Sequence, residues 1–175
     1  MEARLEFPKI MPQVLTMMLD LEAHLDQCNL ESRLLHLVRM RASQINGCAY
    51  CLDMHSKDAR AEGETEQRLY ALNAWRETPF FTERERAALL WTEAVTLVRE
   101  GHVPDSVYES VRREFSNAQI ASLTFVIAMI NTWNRLNIAF RTVPGGYRAG
   151  MFRRQPRAHS QPDSHQTLAT PATPH

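Results

Sequence analysis

The 175-residue sequence predicts an all-α protein that folds as a single-domain helical bundle. Along most of the chain, apolar residues recur at intervals of three and four, which is the spacing of an amphipathic helix. Two capping boxes, Thr82 with Glu85 and Ser116 with Gln119, mark helix starts. No stretch alternates apolar and polar residues as a strand does. A chain of this length can bury one substantial core, so we expect one domain.

The expected helices follow one another with short breaks that the sequence marks. Gly63 suits the left-handed end of a helix, Pro79 closes another, and Pro104 suits a first helical turn. Asn29 can cap the second helix. We predict six to seven helices, over about residues 11–28, 30–46, 48–62, 64–75, 83–101, 104–115 and 117–141.

The last predicted helix is apolar on almost every side as far as Ile130. Such a helix is either the centre of the domain or shared with a neighbouring subunit. The sequence Pro144-Gly145-Gly146 ends it, and the segment from Arg153 onward has four prolines and few apolar side chains. Those few cannot offset the entropy cost of ordering the segment. We therefore predict a folded domain over residues 1–144 and a disordered tail over residues 145–175.

Composition excludes several classes of partner. The 20 basic and 20 acidic residues leave no net charge to attract nucleic acid. The longest apolar run, Ile120 to Ile130, is about half the length of a membrane span. The amino terminus lacks the basic start and apolar block of a signal peptide. Three cysteines do not make a secreted disulfide framework, so we expect a cytoplasmic protein with neither nucleic-acid nor membrane partners.

The stretch from Asn46 to His55 carries the most reactive side chains of the chain. Cys48 and Cys51 are one helical turn apart, as are Cys51 and His55, so these three share a helix face. The turn pair Asn46-Gly47 places Cys48 in the first turn of a helix. There the backbone dipole and unpaired N–H groups lower the pKa of a thiol and favour its thiolate.

This face is typical of thiol redox chemistry. Cys51 would act as the nucleophile, and His55 would take or share its proton. Attack of the thiolate on the O–O bond of a peroxide would leave a sulfenic acid at Cys51. Cys48 would then close a disulfide with Cys51, which an external dithiol would reduce. The expected partners are a peroxide substrate and a dithiol reductant, and no cofactor or metal is expected.

Two other interpretations use the same residues. One is a structural zinc site at Cys48, Cys51 and His55, whose spacing matches no zinc-finger pattern. Its fourth ligand would come from His24, Cys28 or His36. The other is a pair of inert buried thiols, which the histidine on the same face disfavours. Both interpretations give the cysteines a structural role and involve no redox cycle.

The run from Arg41 to His55, followed by Asp58-Ala59-Arg60, resembles the core signature of the alkylhydroperoxidase D family, within the carboxymuconolactone decarboxylase superfamily. In this run Ser-Gln-Ile-Asn-Gly leads directly into the Cys-x-x-Cys pair and its histidine. Later stretches are also similar to members of that group, namely Leu72-Asn73-Ala74-Trp75-Arg76, Glu83–Leu89 and Asn131–Arg135. The resemblance covers about residues 5–144.

The resemblance implies an alkylhydroperoxidase D-like helical fold, assembly as a homo-oligomer of two, three or six chains, and thiol-dependent peroxidase activity. By motif position, Cys51 forms the sulfenic acid, Cys48 is the proton donor and resolving thiol, and His55 belongs to a proton relay. Members of the family draw electrons from dithiols such as lipoylated proteins and are not known to need a metal.

One departure from the family pattern concerns His36, which occupies the position of a relay glutamate twelve residues before the first cysteine. Histidine is mostly neutral near pH 7 and supplies no fixed negative charge, whereas glutamate is ionised. We hypothesise weaker peroxidase activity that depends on pH between about 6 and 7. A comparison of rate against pH for the wild type and His36→Glu tests this. A structural role for His36 predicts identical profiles.

Two further functions remain open at the level of sequence. A decarboxylase acting on a small lactone acid occurs in the same superfamily, but it needs an acid or base rather than two thiols. A redox-sensing oligomer would form the disulfide without turning over peroxide. Three residues receive structural roles: Asp58 as part of a solvated face, and Trp133 and Asn134 as packing residues of the last helix.

Overall fold

A computed structural model describes residues 2–152, whose regular structure is entirely helical. Over these residues there are nine α-helices and one 3₁₀ helix. The α-helices are α1 (Phe7–Ile10), α2 (Pro12–Leu25), α3 (Ser32–Asn46), α4 (Ala49–Ala61), α5 (Glu66–Ala71), α6 (Glu83–Thr96), α7 (Val98–Gly101), α8 (Asp105–Val111) and α9 (Asn117–Phe140). The 3₁₀ helix, Leu72–Glu77, follows α5.

The nine α-helices within residues 2–152 exceed the predicted six to seven because the backbone breaks at places that the apolar pattern does not show. The extra turn α1 precedes the predicted first helix, and a proline lies in the first turn of both α1 and α2. The predicted helix over residues 83–101 is divided at Leu97, whose φ of −96° and ψ of 31° leave helical geometry. A further break falls at Ala74, whose φ of −114° and ψ of 31° kink the 3₁₀ helix that follows α5.

Both predicted capping boxes are confirmed. Thr82 and Ser116 accept hydrogen bonds from the backbone N–H groups of Glu85 and Gln119, whose side chains accept from the caps in return. Gly63 has a φ of +86°, the left-handed conformation expected at a helix end. The prediction for Asn29 was wrong, because α3 begins at Ser32 with Glu31 as its N-cap residue.

Helix α3, rather than the last helix, lies at the centre of the bundle. It packs against α4, α6 and α9, and nine of its fifteen residues are buried. Helix α9 is buried along one face only, and its Phe125 is 60% exposed. Within residues 2–152, no helix combines the length and the apolar character needed to cross a lipid bilayer.

Residues 145–152, which we call the C-terminal strap, lie against α4 although the sequence assigns them to a disordered tail. The carboxylate of Asp53 accepts a hydrogen bond from the backbone N–H of Gly145 at 3.0 Å. The carboxylate of Asp58 accepts from the Tyr147 hydroxyl and from the Gly150 N–H, each at 2.9 Å. Polar side chains of α4 therefore hold a segment that contains three glycines. The rest of the predicted tail, residues 153–175, lies outside the described residues.

Candidate active site

The predicted cysteine pair lies at the start of α4. Gly47, with a φ of +68°, ends α3, and Cys48 follows as the N-cap residue of α4. The Cys48 sulfur accepts a hydrogen bond from the backbone N–H of Cys51 at 3.4 Å, and the two Sγ atoms are 2.7 Å apart. Both cysteines are free thiols and 1% exposed. A disulfide, with an S–S bond of about 2.05 Å, would therefore require only a small movement.

The two thiols ionise as a pair. The hydrogen bond with Cys51 lowers the pKa of Cys48 to about 7, and the backbone N–H of Cys51 contributes in the same direction. The same contact with Cys48, together with burial, raises the pKa of Cys51 far above that of a free thiol. The lowered pKa that the first helical turn predicts thus belongs to Cys48. When the pair loses one proton, the negative charge is therefore favoured at Cys48.

Asparagines of α9 form the wall behind the cysteines. Asn137 donates to the Cys51 sulfur at 3.4 Å. Asn134, fully buried, donates to the Ser43 hydroxyl at 3.1 Å and accepts from the Asn46 amide at 2.8 Å. The sequence analysis treated Asn134 as packing and missed Asn137. The signal was present: Asn131, Asn134 and Asn137 recur every three residues along an otherwise apolar helix.

His55 lies one turn after Cys51 on α4 and is buried. Burial, followed by the positive charges of Arg39 and His36, holds the pKa of His55 well below its usual value of 6.5. The imidazole is therefore neutral at pH 7 and has a lone pair that can accept a proton.

His36 is a buried residue of α3 that lies beside a carboxylate. Its Nε2 atom is 3.0 Å from Oε2 of Glu62, the residue that caps the end of α4. The Ser32 hydroxyl donates to the same carboxylate oxygen at 2.5 Å. His36 itself supplies no negative charge, but the carboxylate of Glu62 lies beside its ring. Sequence reasoning missed Glu62 because the pairing joins two helices across a bend in the chain.

A cavity of about 1180 Å³ opens onto these residues. Cys51, His55 and His36 line it, and Cys48 lies behind Cys51. Its other walls come mainly from apolar and aromatic side chains of α1, α2, α9 and the C-terminal strap, including Leu15, Leu19, Trp133, Met151 and Phe152. Of the two sulfurs, Cys51 is the one that a molecule in the cavity would meet.

A buried arginine fixes one side of the cavity. Arg39 donates to Glu22 at 2.9 Å and to Asp26 at 2.7 Å, which ties α3 to α2. The indole N–H of Trp133 donates to the other oxygen of Glu22 at 2.9 Å and connects α9 to the same group. This network positions three helices around the site and places a positive charge close enough to weaken the basicity of His55.

Two other residues considered in the sequence analysis, Asp58 and Cys28, make contacts that stabilise the fold. Asp58 accepts hydrogen bonds from the Tyr147 hydroxyl and the Gly150 N–H of the strap, so it is not the simple solvated residue that the sequence suggests. Cys28 is half-buried and packs against the main core, and burial raises the pKa of its thiol. Within residues 2–152, no three or more His, Cys, Asp or Glu side chains are arranged to hold a metal ion.

The fold and the site define an all-helical protein with two adjacent free thiols at the amino end of one helix. The sequence matches the model of the Carboxymuconolactone decarboxylase family over residues 12–94. It is 42% identical over 139 residues to the uncharacterized protein YdfG of Bacillus subtilis, covering 79% of this chain and 95% of YdfG. The chain belongs to the carboxymuconolactone decarboxylase family and, within it, to the alkylhydroperoxidase D-like proteins.

Solved structures share the fold. One is a protein of unknown function from Agrobacterium tumefaciens, described as a candidate antioxidant defence protein AhpD. It is 41% identical with a TM-score of 0.80, over 82% of this chain and 99% of that one. The debrominase Bmp8 is 23% identical with a TM-score of 0.63, over 70% of this chain and 66% of its own. The second likeness concerns the fold alone, and a fold does not determine a reaction.

Proposed function

We propose that this protein is a thiol-dependent peroxidase that reduces organic hydroperoxides and hydrogen peroxide through Cys51 and Cys48. The observation that carries the proposal is the pair of free sulfurs 2.7 Å apart, of which one lines a large cavity. A reactive thiol next to a second thiol and a neutral imidazole is the arrangement that peroxide reduction needs.

In the first step the sulfur of Cys51 attacks one peroxide oxygen. The S–O bond forms and the O–O bond breaks, so Cys51 is oxidised to a sulfenic acid and the peroxide is reduced to an alcohol, or to water from hydrogen peroxide. Cys51 holds its proton in the resting pair, and the Cys48 thiolate is the nearest base to receive it. His55 and His36 then supply a route by which a proton returns to the departing alkoxide.

In the second step the Cys48 sulfur attacks the sulfenic acid, forms the disulfide and releases water. An external dithiol, such as that of a lipoylated protein, reduces the disulfide by two electrons and restores both thiols. This chemistry needs a reducing compartment, so we propose a cytoplasmic location. We also propose a homo-oligomer, supported by the family resemblance and by the 60% exposed Phe125 on α9.

Consumption of cumene hydroperoxide in the presence of dihydrolipoamide tests the proposed function. The wild type is expected to turn over, whereas Cys51→Ser and Cys48→Ser each lose catalytic turnover, because one lacks the attacking sulfur and the other cannot close the disulfide. Cys28→Ser is the matched control and should retain wild-type activity. Disulfide formation without continuing consumption would indicate a redox sensor instead. Activity on a small lactone acid that survives both active-site variants would indicate a decarboxylase.

A further inference from the structure

Glu62 stands in line with the two reactive residues of α4. It follows Cys51 by eleven residues and His55 by seven, which correspond to about three and two helical turns. The three side chains therefore project from one side of the helix, and all three line the cavity. This places a carboxylate at the far end of the face that begins with the thiol.

The carboxylate of Glu62 is held in place from α3. The Ser32 hydroxyl donates to Oε2, and the same oxygen lies 3.0 Å from Nε2 of His36. The side chains of His36 and Glu62 are 8% and 22% exposed, so water screens their interaction only in part. A carboxylate at this distance favours the tautomer of a neutral histidine that carries the ring proton on Nε2 and the lone pair on Nδ1. It also stabilises the imidazolium that forms when Nδ1 takes up a second proton.

We propose that Glu62 is a positioning residue of the thiol site, which fixes the tautomer of His36 and strengthens it as a proton acceptor. The inference rests on the proposed peroxidase function. Its role concerns the proton that leaves the Cys51 thiol and must return to the alkoxide. Along α4, His55 lies between Cys51 and Glu62, and it is close enough to His36 for the charge of that ring to lower the pKa of His55. Glu62 acts through His36 and does not touch the substrate.

Several other charged groups share the cavity, and the pH dependence depends on which of them faces His36. Arg39, on the same helix, is paired with Glu22 and Asp26 of α2. Asp58 of α4 accepts from the strap. The remaining titratable groups of the lining are Glu6, Lys9, Tyr50, Cys51, His55 and Tyr147. The carboxylate that contacts the His36 ring at 3.0 Å is that of Glu62, so its charge has the most direct effect on His36.

A purely structural role is the competing explanation, because the Ser32–Glu62–His36 contacts also tie the end of α4 to the start of α3. The substitution Glu62→Gln separates the two roles. It retains the size of the side chain and an acceptor oxygen for Ser32, and it removes the negative charge. Glu66→Gln is the matched control, because Glu66 is an exposed carboxylate that pairs with Arg60, away from His36.

The experiment measures kcat/KM for cumene hydroperoxide against pH, together with the titration of the His36 ring nitrogens by NMR. Partners that orient an imidazole at metal sites contribute about 10- to 100-fold, and we expect about a tenfold loss in Glu62→Gln at neutral pH. The acid limb of the profile and the midpoint of the His36 titration should both move to lower pH, because the imidazolium loses its counter-charge. Glu62→Asp should recover part of the rate.

A wild-type rate and titration in Glu62→Gln would overturn the inference, and so would an equal loss in Glu66→Gln. A lower rate with an unchanged titration midpoint would also overturn it, since it would show a structural role. Should the wild type consume no peroxide, the proposed function fails separately. In that case the NMR titration alone decides whether Glu62 controls the protonation of His36.

Discussion

At the scale of single residues, Cys48 and Cys51 differ in what surrounds them rather than in chemistry. Cys48 receives the backbone N–H at the start of α4 and has a lowered pKa, while Cys51 retains its proton and faces the cavity. The thiol that ionises first is thus not the thiol that substrate can reach. Under the proposed function, proton exchange between the two sulfurs is part of the reaction, and each cysteine depends on the other.

Removing either cysteine should change the ionisation of the one that remains. In Cys51→Ala, the pKa of Cys48 is expected to rise from about 7 toward the ordinary value of 9.0, because the hydrogen bond from the second thiol is lost. In Cys48→Ala, the pKa of Cys51 should fall, because the neighbouring sulfur no longer raises it. The thiolate absorbance against pH, in a Cys28→Ser background, reports both changes. Unchanged titrations in both variants would show that the two sulfurs do not share a proton.

At the scale of elements, one glycine sets the geometry between α3 and α4. Gly47 adopts a φ of +68° at the end of α3, and Cys48 follows at once in an extended conformation that lets its sulfur cap α4. A residue with a Cβ atom is strained at such a φ even where space is available. The position of the reactive sulfur therefore depends on a residue that has no side chain.

Gly47→Ala should lower the free energy of unfolding by about 1–2 kcal/mol, the cost of a left-handed conformation for an L-residue. Space is not the reason, because no atom lies within 4 Å of the added Cβ. Gly101→Ala is the control, since Gly101 is equally open but lacks a positive φ and lies in α7. It should be neutral or slightly stabilising. Urea denaturation measures both, and an equal loss in the two variants would contradict this explanation.

Helix ends were the features best predicted from sequence, because their signals are local. The capping boxes at Thr82 and Ser116 satisfy backbone groups within three residues, so nothing distant can alter them. The partners of the site were less predictable. In the sequence, Arg39 cannot be distinguished from a solvent-facing arginine, because its partners Glu22 and Asp26 become its neighbours only in the folded chain. Glu62 likewise acquires its position only when α4 folds back along α3. Such pairings are tertiary contacts, and no periodic pattern in the sequence indicates them.

At the scale of the whole molecule, the bundle is arranged around the cavity that Cys51 faces. Helices α2 and α9 and the C-terminal strap contribute its apolar walls, while α3 and α4 contribute its reactive side chains. A cavity of about 1180 Å³ is far larger than hydrogen peroxide requires and fits a carbon-rich hydroperoxide. Under the proposed function, the walls of the cavity would determine selectivity for bulky substrates, and the thiol pair would determine reactivity.

Filling the cavity should therefore separate large from small peroxides. Leu19→Trp places a larger side chain in the lining, and we expect kcat/KM for cumene hydroperoxide to fall about tenfold or more. The value for hydrogen peroxide should change little. Met17→Trp is the control, because Met17 lies on the same helix but is 69% exposed. Parallel rate measurements with both peroxides check this, and an equal loss for the two substrates would argue against a role of the walls in selectivity.

The Cys48 sulfur caps α4, so under the proposed function its oxidation to a disulfide has a conformational consequence. A sulfur in a disulfide carries no negative charge and is a weaker acceptor for the Cys51 N–H than a thiolate. The first turn of α4 is thus held more firmly in the reduced protein and is freer to fray in the oxidised one. The reductant would therefore meet a less ordered first turn of α4 only in the oxidised protein. Reduction of the disulfide would restore the ordered turn.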